Sequence, residues 1–77
     1  MKQFSVIMRS FSDIQDFVSL SSRQPFEVTV GGDGHGISGK SLMAMLGLNL
    51  RQPLVVNVEC GEQEFLQFCS DAARFLV

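Results

Sequence analysis

Leu54-Val55-Val56-Asn57-Val58, followed across Glu59-Cys60-Gly61 by Glu62-Gln63-Glu64-Phe65-Leu66-Gln67-Phe68-Cys69, passes from a strand pattern to a helix pattern over one short link. Leu54, Val55, Val56 and Val58 favour a pleated, buried surface, and Pro53 breaks whatever precedes them, so this run predicts the last strand. Glu62, Gln63 and Glu64 then load negative charge into the first turn of a final helix, where free amides welcome it. Phe65, Phe68, Cys69, Ala72 and Leu76 follow helical spacing, while Gln63, Gln67, Ser70, Asp71 and Arg74 face water. Both elements have one apolar side that needs cover, and the rest of the chain must supply it.

The same rules carry the reading toward the amino terminus. Lys2 to Met8 alternates as a first strand, with Phe4, Val6 and Met8 on the inward side. Ser12 reads as the cap of a first helix, with Asp13 in its first turn, Gln15 in capping-box position, and Ile14, Phe17, Val18 and Ser21 sharing a face; the helix should end near Ser21 or Ser22. Pro25 opens a strand through Phe26, Val28 and Val30, and Gly31-Gly32-Asp33-Gly34 is a turn that leads into a short third strand from about Gly34 to Ser38. A short helix follows Ser41 and stops near Asn49, a residue that tolerates the left-handed conformation. The order β-α-β-β-α-β-α predicts a single α+β domain over residues 1–77, with an antiparallel sheet and three helices on one face. Phe17, Phe65, Phe68, Val28, Val56 and Val58 are the expected core.

Composition excludes several function classes. Six cations scattered among eight acidic residues give a net charge of -2, so there is no basic stripe for nucleic acid. No apolar run approaches the roughly 20 residues that span a bilayer. Met1-Lys2-Gln3-Phe4-Ser5 lacks the long apolar stretch of a secretion signal, so a cytoplasmic location is expected. Cys60 and Cys69 match neither a zinc pattern nor a redox pair; both are expected reduced, with Cys69 acting as a small core hydrophobe. No metal, cofactor or catalytic constellation is expected, and other proteins are the expected partners.

One stretch carries a functional signal: Gly36-Ile37-Ser38-Gly39-Lys40-Ser41-Leu42-Met43-Ala44-Met45-Leu46-Gly47-Leu48-Asn49-Leu50. Ser41 stands where its oxygen can cap a helix start, and a phosphate would also be welcome beside those amides and Lys40. Here the chain resembles the HPr family, the small histidine-containing phosphocarrier proteins of the bacterial sugar phosphotransferase system and their regulatory relatives. Besides Lys40-Ser41, the helix pair Phe17-Val18, the strand Glu27-Val28-Thr29-Val30, the exit Leu48-Asn49-Leu50 and the strand Val55-Val56 keep the family's spacing, from Phe17 to Val77. The resemblance implies an open-faced sandwich and a regulatory phosphoserine at Ser41. It also implies that Lys40, Leu42, Met43 and Met45 meet a serine kinase and a catabolite-control transcription regulator. A bare helix cap at Ser41 is the alternative reading of the same residue.

The resemblance fails where the family carries its phosphoryl group. Members that relay phosphate have a histidine at the first helix start, followed by threonine, arginine and proline; here the histidine position falls on Ser10, the arginine position on Ser12 and the proline position on Asp13. The loop Arg9-Ser10-Phe11 is also about five residues short. A relay needs a labile phosphorus–nitrogen bond, and a serine phosphoester lies too low in transfer potential to replace it. Asp13 and Asp16 would also repel a phosphoryl group at this helix start. The expected loop therefore presents Ser10, Ser12 and Asp13 with neither imidazole nor arginine beside them. The chain reads as an HPr-like interaction module without phosphocarrier activity. Two alternatives stand: phosphotransfer through His35, the only imidazole, or a small-molecule-binding regulatory domain of ACT-like topology.

Overall fold

A computed structural model describes residues 2–31, 36–47 and 52–76. Four strands, β1 (Lys2–Val6), β2 (Val28–Val30), β3 (Ile37–Ser38) and β4 (Leu54–Val58), form one antiparallel sheet in the order β1-β4-β2-β3. Three helices, α1 (Phe11–Ser22), α2 (Leu42–Met45) and α3 (Glu62–Asp71), complete the expected β-α-β-β-α-β-α order, and a 3-10 turn follows over Ala73–Phe75.

Register explains why one face is buried. Phe4 lies opposite Val56 and Val6 opposite Leu54, while on the other side of β4 Val28 faces Val58 and Val30 faces Val56. Side chains alternate across a strand, so these residues share one side, and Gln3, Ser5, Thr29, Asn57 and Ser38 share the other. Ile14, Phe17 and Leu20 of α1, Met45 of α2 and Phe68 of α3 join the strand residues in a single core, which leaves the polar face open, as in an open-faced sandwich. Phe68 is its hub: its ring lies 5.7 Å from Phe4, 5.7 Å from Phe26 and 6.3 Å from Phe17. Phe65 is only partly buried, beside Phe4 and under the Lys2 ammonium at 5.6 Å. Lys2 thus points inward from the edge strand, a placement that discourages further strand pairing.

Several expectations are corrected. α1 is capped by Ser10, not Ser12: Asp13 N donates to Ser10 Oγ at 3.2 Å, and Arg9 N donates to Asp13 Oδ2 at 2.9 Å. The reciprocal pair Ser10 and Asp13 satisfies two amides where Ser12 and Gln15 would have begun the helix a half-turn later, and both of the latter are exposed. β2 begins at Val28, so Pro25 and Phe26 precede the strand, although Phe26 is buried. β1 likewise ends at Val6, yet Met8 stays buried beyond it. α2 is a single turn, and its expected stop at Asn49, like the Gly34–His35 portion of the third strand, lies outside the described residues.

The largest correction is at the carboxy-terminal end. The helical stripe was expected to run to Leu76, but α3 stops at Asp71, and the 3-10 turn rotates Phe75 into the core while Leu76 is exposed. Ile7 N donates to Phe75 O at 2.7 Å, and Leu76 bridges to Val6. The edge of β1 offers backbone bonds that a continuing helix could not use, and Phe75 fills space beside Phe17 at 5.8 Å. Cys69 is consequently half-buried and not part of the core cluster, whereas Cys60 packs against that cluster.

Candidate functional site

Two places are singled out by the sequence, the start of α1 and the mouth of α2. At the start of α1 the structure brings together Ser10 and Asp13 and adds a residue the sequence reading put in water. Arg74 Nη2 lies 2.7 Å from Asp13 Oδ1 and 3.0 Å from Asp16 Oδ2, and its guanidinium stacks 4.6 Å from the Phe75 ring. An arginine therefore does stand beside this helix start, contrary to expectation, delivered from the other end of the chain by the 3-10 turn. It arrives already neutralised by two carboxylates. Asp13 occupies the position at which an external anion would meet the amides, because its other oxygen accepts Arg9 N. Ser12 is exposed beside this cluster. Among the described residues no imidazole reaches this helix start, and His35 lies outside them.

At the mouth of α2, Ser38-Gly39-Lys40-Ser41 makes a tight turn closed by Ser41 N donating to Ser38 O at 3.2 Å. Glycine is required at its second position. Gly39 N donates to Val28 O at 2.8 Å, and a Cβ on Gly39 would come within 2.8 Å of Val28 Cγ1 and 3.2 Å of Val30 Cγ2. The turn is thereby held flat against β2, which sets where Lys40 and Ser41 point. Lys40 Nζ donates to Gln24 O at 3.0 Å, and Ser22 Oγ reaches Lys40 O at 3.5 Å, so this residue ties α2 to the end of α1. Its ammonium is engaged there and does not stand free beside Ser41.

Ser41 caps α2 as expected: Ala44 N donates to Ser41 Oγ at 3.3 Å, with Ser41 extended and half-buried. One helical turn aligns too few peptide dipoles to build a macrodipole, so any attraction for negative charge here comes from individual amides. In a single turn, residues three apart share a side. Leu42 and Met45 therefore turn inward together, Leu42 half-buried against the core and Met45 fully buried. Met43 and Leu46 turn outward, 82% and 44% exposed. The expectation that Met45 contacts a partner is corrected on this ground: it is core. Leu46 was missed, although its spacing from Met43 was readable. Phe11, 52% exposed just after the α1 cap, was missed too, because moving the cap from Ser12 to Ser10 is what places it on the helix.

Among the described residues, no three His, Cys, Asp or Glu side chains gather as a metal site would need, and no helix is long and apolar enough to cross a membrane. Burial pushes the Cys69 thiol above its ordinary pKa, and burial followed by the Glu64 carboxylate does the same to Cys60, the opposite of the lowered pKa that activates a thiol. No known protein family matches the chain, and neither does any curated protein.

Proposed function

We propose that this protein is an HPr-like interaction module that has lost phosphocarrier chemistry and acts as a regulatory relative of the sugar phosphotransferase system, controlled through Ser41. The observation that carries this reading is the α1 start: Ser10, Asp13, Asp16 and Arg74 form a closed cap, its one cation held by two carboxylates, where a carrier would need a nucleophilic imidazole and an open anion site. The regulatory surface of this reading is α2, where the half-buried hydroxyl of Ser41 adjoins Met43, a polarisable and almost fully exposed side chain suited to protein docking.

In this role Ser41 switches between capping oxygen and phosphoester. A phosphate would add about two negative charges beside Met43 and change which partner that surface accepts. The partners are a serine kinase and a transcription regulator of carbon metabolism, and the module itself is not an enzyme. Two labelling reactions test the reading. Phosphoenolpyruvate with the first enzyme of the phosphotransferase system should leave no acid-labile phosphate on the chain, while its serine kinase should label wild type and not Ser41→Ala. Stoichiometric acid-labile label lost in His35→Ala would establish a phosphocarrier instead, and kinase labelling unchanged in Ser41→Ala would leave Ser41 as a helix cap only.

A further inference from the structure

A cleft of about 530 Å3 lies between α1 and the junction of α3 with the 3-10 turn. It is broad and open to solvent, with room for a small molecule that keeps one side in water. Leu20 and Phe75 form the floor but are only 7% and 3% exposed, so the cleft offers little apolar surface and its chemistry is polar. Asp16, Ser19, Arg23 and Gln24 line it from α1, and Asp71 and Arg74 from the opposite side.

Half of this charge is already satisfied. Arg74 is held by Asp16 and Asp13. Arg23 and Asp71, in contrast, have no ion-pair partner among the described residues. Asp71 receives Gln67 Nε2 at Oδ1 at 3.0 Å, which leaves Oδ2 open, and Gln24 directs its Nε2 to Leu20 O at 3.0 Å, which leaves its amide oxygen open. The cleft lining therefore offers an unpaired guanidinium fork, an unpaired carboxylate oxygen and the neutral polar groups of Ser19 and Gln24.

Charge narrows the ligand class. The arginines Arg23 and Arg74 balance Asp16 and Asp71, so a dianion would be repelled by the carboxylates and a polycation by the guanidinium groups. A small zwitterion carries the two charges that complement these unpaired groups. We propose that this cleft binds a free α-amino acid, with its carboxylate on the fork of Arg23 and its ammonium on Asp71. The site is independent of Ser41 and stands or falls separately from the regulatory reading.

Titration of the 15N-labelled full chain with L-alanine and with L-glutamine tests it, since both carry the charge pair that Arg23 and Asp71 recognise. Saturable shifts are expected at the amides of Ser19, Arg23, Gln24, Asp71 and Arg74. Acetate and ethylammonium, each holding one half of the charge pair, should bind more weakly by at least about tenfold. Arg23→Gln and Asp71→Asn alter exposed side chains, so unchanged thermal melts are expected, and each should weaken the amino acid about tenfold. Absence of saturable shifts with both amino acids, acetate binding as tightly as alanine, or affinity unchanged in the two variants would overturn the proposal.

Discussion

Replacing Phe68 with Ala removes the ring that joins every layer of the core. The side chain is fully buried, and it meets Phe4 on β1, Phe26 ahead of β2 and Phe17 on α1, at ring separations of 5.7, 5.7 and 6.3 Å. Truncating a buried phenylalanine costs about 3–5 kcal/mol, the sum of lost transfer energy and the cavity left behind. The upper half of that range is expected, because the three surrounding rings are anchored to different elements and cannot close the space together. A chain of 77 residues has a total stability of about 4–12 kcal/mol, so the loss takes a large share of it. Urea unfolding followed by circular dichroism measures it. With a slope of about 1 kcal/mol/M the midpoint should fall by about 4 M, if the variant folds at all. Phe65→Ala, at a partly buried ring on the same helix, should cost visibly less. A loss below about 1 kcal/mol for Phe68→Ala, or a larger loss for Phe65→Ala, would refute the placement of the core.

Three further outcomes are expected. Gly39→Ala should cost about 1–3 kcal/mol, because its Cβ would collide with Val28 and Val30; an unchanged melt would mean the turn does not rest on β2. Ser21→Ala should be neutral or raise stability by up to about 1 kcal/mol, since the Ser21 hydroxyl is buried without a hydrogen-bond partner among the described residues; a clear loss in the same urea assay would reveal one. Both thiols have raised pKa values, so the protonated form is favoured at neutral pH. Alkylation by iodoacetamide should therefore be slower than for free cysteine near pH 7 and should rise only above the ordinary thiol range of about 8.5, whereas fast labelling at pH 7 would contradict this.

The Ser41 cap was largely legible in the chain because its signals are local. A serine ahead of an apolar turn has few other uses, and the capping bond to Ala44 forms within four residues. Which of the neighbouring apolar residues stay exposed was not legible. Leu42, Met43, Met45 and Leu46 are all apolar, and a helix this short gives periodicity too few repeats to rank them. Only the position of the sheet shows that Leu42 and Met45 turn in while Met43 and Leu46 turn out. Ser10 and Ser12 posed the same difficulty in miniature, as two serines each followed by a plausible first turn, decided by the bonds that Asp13 makes.

By itself the sequence determined the class of fold: strand alternation, helical stripes and glycine turns are near-neighbour properties, and their order leaves an antiparallel sheet covered on one side as the arrangement that buries every stripe. Tertiary structure alone decided the strand order and where the last residues go. Arg74 and Asp13 are far apart in the chain, and no local pattern announces that they meet. They do so because α3 stops at Asp71, Phe75 finds space against Phe17, and the backbone of residues 75 and 76 finds unpaired groups on β1. The free energy of that turn resides in contacts between distant segments, which exist only once the rest of the core has formed.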